Sequence, residues 1–150
     1  MIRPVLAFAC VAALLAACGQ PQTRNVVKGA DGEKVIVESG SGLKPPADMP
    51  AFAEIMPGAV LTSVIAQAGG ADQVKGGAIG FNTDRSPQQV MDWYRERIAA
   101  KGLVIAGEMQ TGEARMIAAR AEGSEDVGLH VTAGPTEDGG SAVTLVYNGG

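Results

Sequence analysis

One helical signature, standing alone among alternating runs, most constrains what this chain can fold into. Ser86-Pro87-Gln88-Gln89 is a capping-box pattern with proline at the first helical position. Val90, Met91, Tyr94 and Ile98 follow on one face at helical spacing, while Asp92, Arg95 and Glu96 take the other. Lys101 suits the negative end of the helix dipole, and Gly102 stands where a C-cap glycine belongs. The spacing predicts a helix over about Pro87 to Lys101.

Everything around it reads as strand. Ala59 to Ala66 is β-branched, Gly69-Gly70-Ala71-Asp72 makes a turn, and Val74 to Thr83 returns. Gly76, Gly77 and Gly80 in the return suggest a bulge or a close approach to the backbone. Beyond the helix come Leu103 to Met109, Arg115 to Ala121, Val127 to Ala133 and Ser141 to Tyr147, with turn signals between them. Val127, Leu129, Val131 and Ala133 alternate with polar or small residues, as do Val143, Leu145 and Tyr147. Short loops between consecutive strands imply antiparallel neighbours. The expected fold is α+β: a single antiparallel sheet packed on one amphipathic helix, in the order ββαββββ, over residues 51–150.

A signal peptide and a flexible linker are expected to precede it. Met1-Ile2-Arg3 is a short basic segment, and Val5 to Ala17 is an uncharged run too short for a bilayer span, which takes roughly 20 residues. Leu15-Ala16-Ala17-Cys18 closes this run and resembles the lipobox of bacterial lipoproteins. That resemblance implies a signal peptide over 1–17, diacylglyceryl on the Cys18 sulfur, and fatty acylation, such as by palmitate, of the new amine. It places the protein in the bacterial cell envelope, lipid-anchored with a periplasm-facing domain. Gly19 follows the cysteine where this family uses an aspartate for inner-membrane retention, so the outer membrane is favoured. The Ser-Pro-led helix with Tyr94 and the Gly102-Leu103 exit resembles a pattern of small, uncharacterised envelope lipoproteins, a likeness that carries no activity.

Residues 18–50 read as a tether. Within it, Val26-Val27 and Val35-Ile36-Val37 flank Asp31-Gly32, a hairpin signal over 25–39. An isolated hairpin is marginal in water, so this one docks or stays fluid. Gly40 to Pro50 is a linker by composition. In Met49 to Gly58, Phe52 and Ile55 either plug the edge of the sheet or offer an apolar surface to a partner.

The chemistry is sparse. The net charge of −4 argues against nucleic acid, and loss of Arg3 with the leader makes the chain more acidic still. Cys10 lies in the leader and Cys18 is committed to lipid, leaving no disulfide within the mature chain. No nucleophile elbow, P-loop or dinucleotide fingerprint occurs, and neither a cofactor nor a metal is expected. His130 falls on the polar side of its strand with Gly128 and Thr132. The acids Glu122, Glu125, Asp126, Glu137 and Asp138 fall in turns, and Asn82 to Ser86 leads into the helix cap.

Trp93 lies at the margin of the apolar helix face, one turn before Arg97. It either covers the rim of the sheet or projects as an interface anchor, since Trp and Arg are enriched among hot spots. Trp93, Tyr94 and Arg97 are accordingly the candidate contacts for a partner or ligand. The expected function is a membrane-anchored, non-enzymatic binding or scaffolding module with a protein partner in the envelope. The alternative is a carrier or sensor of small ligands, with a helix–sheet pocket lined by Met91, Tyr94 and Ile98. A hydrolase is the least supported reading.

Overall fold

The computed structural model describes residues 21–28, 33–68 and 76–149. Cys18 and the turns at Asp31-Gly32 and Gly69 to Asp72 lie outside the described residues. The elements run β1 (Thr23–Lys28), β2 (Lys34–Ser39), β3 (Val60–Ala68), β4 (Gly76–Thr83), α1 (Pro87–Ala100), β5 (Leu103–Thr111), β6 (Ala114–Ala121), β7 (Gly128–Pro135) and β8 (Ser141–Asn148). All strands join one antiparallel sheet of order β1-β2-β3-β4-β8-β7-β6-β5.

The expected ββαββββ order corresponds to β3 through β8. The sheet is two strands wider because the 25–39 hairpin docks on it, so the flexible linker expected up to residue 50 is in large part structured. The physical reason is mutual need. A lone hairpin cannot bury enough to persist, and β3 would otherwise present an open row of backbone donors and acceptors. Pairing Ile36 with Ala66 and Glu38 with Val64 satisfies both.

α1 carries the chain from β4, in mid-sheet, to β5 at the far edge. The chain then steps back through β6 and β7 until β8 closes against β4. The helix forms as its signals require. Ser86 Oγ accepts from the Gln89 amide at 3.4 Å, and Gln89 Oε1 accepts from the Ser86 amide at 3.0 Å. Gly102 leaves the helix at φ +73°, a conformation that favours glycine.

Val90, Met91, Tyr94 and Ile98 are buried on the helix face that packs on β5, β6 and β7. They meet Ile117, Leu129, Val131, Leu145 and Phe81 from the inner face of the sheet in one core. Ala53 and Met56 complete it, with Met49, Phe52 and Ile55 packed against its side. The Met-Pro-framed segment therefore covers the core beside the helix, and Tyr94 Oη ties the two together by donating to the Glu54 carbonyl at 3.0 Å.

Of the two alternatives for the β4 glycines, close approach is realised, while the bulge falls in the facing strand β3 and β4 itself runs in unbroken register. The register slips between Leu61 and Ser63 of β3, facing Gly80, and a Cβ on Gly80 would lie 2.5 Å from Ser63 Oγ. Gly77 admits the Tyr147 hydroxyl, which lies 2.5 Å from where a Cβ would stand.

Candidate functional site

The interface between helix and sheet is filled. Met91, Tyr94 and Ile98 are each 2 % exposed or less and belong to the core, so they do not together line the expected pocket; of the three, Met91 alone borders an open groove, of about 170 Å³, beside Arg95 and Glu108. Side chains from elements distant in sequence, Phe81 and Met56 among them, occupy the space that the helix face alone left open.

The inner face is less completely covered at the other side of the sheet. There an open groove of about 360 Å³ lies over β2 and β3. Ile36, Val64 and Ala66 form an apolar floor, placed on this face by the pairing of Val64 with Ile79 and of Ile36 with Ala66. Lys44, Pro45, Pro46, Ala47 and Asp48 form the facing wall. The two prolines cannot donate to a ladder and hold φ near −65°, so this wall stays an extended strap and does not become a ninth strand. At the rim, Arg24 Nε and Glu38 Oε1 pair at 3.2 Å with the arginine largely in solvent. Such a pair adds little to stability and leaves both groups able to turn toward a ligand.

Gly77 pairs with Ala66, so the Tyr147 hydroxyl over Gly77 sits beside the groove floor. Burial, and secondarily the Asp48 carboxylate, raise the Tyr147 pKa.

The other candidates stand apart from this groove. Trp93 is half-buried against the core, edge-on to Tyr94 with ring centroids 4.8 Å apart, and the Arg97 guanidinium lies 5.1 Å from its ring centroid. Arg97 is exposed, but Tyr94 has no exposed surface, so from this position it touches neither a partner nor a ligand. Helical geometry decides the difference, since Tyr94 shares the inward stripe of Val90, Met91 and Ile98. Burial raises its pKa strongly, with a lesser contribution from Glu54.

Arg95 reaches from α1 to β5, where it pairs with Glu108 through two hydrogen bonds of 2.8 and 2.7 Å. Hydrogen bonding to Arg95 lowers the Glu108 pKa. His130 faces outward between Ala118 and Val146 of the neighbouring strands, neither of which offers it a polar side chain. Among the described residues no group of three or more His, Cys, Asp or Glu could hold a metal. None of their helices is long and apolar enough to cross a membrane.

A START domain-like family model matches residues 61–141. The match covers more than half of the chain, and the chain belongs to the START domain-like family. It spans β3 to the first residue of β8, so β1, β2 and the proline wall lie outside the matched stretch. No curated protein and no solved structure shows significant similarity to the chain.

Sequence reasoning did not find the groove. Its floor is visible only once Ile36 and Ala66 are paired, although they lie far apart along the chain. The one local signal was Pro45-Pro46, a stiff pair beside an alternating strand.

Proposed function

We propose that this chain is an anchored, non-enzymatic binding module of the bacterial envelope that takes an apolar ligand in the groove over β2 and β3. The observation that carries the reading is the groove whose apolar floor is buried Val64 with half-buried Ile36 and Ala66, walled by prolines and rimmed by charge. Ligand sites are concave and mostly apolar, with a few polar groups that fix orientation and volumes of about 300–1,000 Å³. At about 360 Å³ the groove has the size of a short chain or a single ring system. Membership in the START domain-like family supports a ligand-binding module in general, and the matched stretch includes Val64 and Ala66 of the floor but neither Ile36 nor the proline wall. The lipobox-like Leu15-Ala16-Ala17-Cys18 supports the membrane anchor, and Gly19 favours the outer membrane. A companion reading, an envelope protein docked on the helix rim, draws on exposed Arg97 stacked over Trp93.

The test is titration of the purified chain with a dye-labelled twelve-carbon acyl chain, followed by fluorescence anisotropy. The expected result is saturable binding that weakens at least ~10-fold in Ile36→Glu, about 1.4 kcal/mol, with thermal unfolding measured alongside. Glu96→Lys, on the exposed side of α1, is expected to bind as the unaltered chain does. Equal binding by a folded Ile36→Glu protein would remove the groove from the proposal.

A further inference from the structure

The face of the sheet turned away from α1 differs from the rest of the surface. The register carries one row across it through Val37, Ile65, Ala78, Val146, His130 and Ala118. A parallel row contains Gly80, Thr144, Thr132, Met116 and Met109. Among the described strand residues that point this way, none is a carboxylate or a lysine, and the only arginine is Arg120, beside Val104 near one corner. The inner side, by contrast, carries Arg24, Lys34, Glu38, Glu108 and Arg115 on strands of the same sheet.

Apolar exposure concentrates on the same face. Val27, Val60, Ile65, Val104, Met109 and Val146, each at least 38 % exposed, all lie on it, whereas Val26 and Ile105 are the exposed large apolar residues of the inner side. With strands about 4.8 Å apart and residues rising about 3.4 Å, an eight-stranded sheet of such lengths presents roughly 850 Å². A stable interface needs about 800 Å² from each partner. The face is therefore large enough to hold a dimer by itself.

Its chemistry selects the occupant. A bilayer surface is gripped by lysine, arginine and interfacial aromatics, and this face has one arginine and no aromatic. A highly charged protein would find complementary groups only at its margins. A second copy meets charge only at the margins, where Glu33 and Asp126 lie beside Val35 and Val146 and where Arg120 has Glu122 and Glu125 near it at the corner. The glycines and alanines of the central strands also leave room for another sheet at the usual spacing of about 10 Å. A two-fold arrangement of one face upon itself is the commonest closed assembly.

We propose that two copies of this chain pack outer face to outer face, giving four layers with the helices and grooves outermost. The arrangement leaves the groove over β2 and β3 open and does not depend on what that groove binds. Copies held in one membrane would meet at high local concentration.

The test uses the chain as exported by a bacterial host, extracted in mild detergent, with sedimentation equilibrium to give protein mass. Val146→Lys and, separately, Thr144→Lys put a charge at the centre of the face, while Glu96→Lys serves as a control on the far side. The expected result is a dimer at micromolar concentration that dissociates ~100-fold more readily in both central variants, because like charges would be buried together. Glu96→Lys should remain dimeric, and far-UV circular dichroism should be unchanged in all three. A monomeric unaltered chain would overturn the proposal, as would a dimer indifferent to both central lysines. Monomers that bind zwitterionic phosphatidylcholine vesicles through this face, and lose that binding in Val146→Lys, would overturn it in favour of a lipid surface.

Discussion

At Gly77 a single methyl group would be felt most. An added Cβ would stand 2.5 Å from the Tyr147 hydroxyl and 2.7 Å from the Ile65 carbonyl, and neither is free to retreat. One is packed in the core and the other is backbone within a paired strand. Gly77→Ala is therefore expected to cost about 1–3 kcal/mol in urea unfolding, the usual range for overpacking. Gly107→Ala is the matched comparison, because a Cβ there meets nothing within 4 Å and its φ is not positive. It is expected to change stability by less than about 0.5 kcal/mol. The sequence showed that β4 held too many glycines for an ordinary strand. Which glycine makes room for what depends on Tyr147, which reaches Gly77 only through the pairing of β4 with β8.

At the scale of elements, the helix was legible almost to the residue, because its start, apolar stripe and stop are all local. What it packs on was not. Tyr94 shows the difference: its spacing on the helix places it inward, but its hydroxyl is satisfied by Glu54, forty residues earlier. Tyr94→Phe leaves that carbonyl without its partner and is expected to cost about 1 kcal/mol at pH 7. The same residue shapes the alkaline limb of stability. Its folded pKa is raised above the ordinary value of 10.0, so its contribution is fully present below pH 10. As pH rises further the unfolded chain ionises first, and stability falls until the folded pKa is passed. Unfolding midpoints measured between pH 9 and 11 should therefore fall less steeply in Tyr94→Phe than in the unaltered chain. Equal slopes would mean that Tyr94 is not the group that matters there.

At the scale of the whole molecule, the docked hairpin brings the fold close to the proposed anchor. Four residues separate Cys18 from Thr23, where β1 begins, so sheet and lipid would be at most about 17 Å apart along an extended chain. A tether reaching to residue 50 would have allowed the domain to roam much farther. Cys18→Ala is expected to move the protein from the membrane pellet to the soluble fraction or to leave it with an unprocessed leader. Growth with an alkyne-tagged palmitate should label the unaltered chain and not the variant. Labelling of Cys18→Ala would end the lipoprotein reading. The sequence by itself determined the elements whose signals are local: the capped helix, the six strand runs around it, and the core side of the last two. It also placed His130 on the outward side of its strand. Only the tertiary structure decided that the hairpin joins the sheet, that the helix–sheet interface is solid, and that an apolar groove remains beside it. Those outcomes depend on residues brought together across the sheet, and a strand's sequence specifies which side chains turn inward without specifying what will cover them.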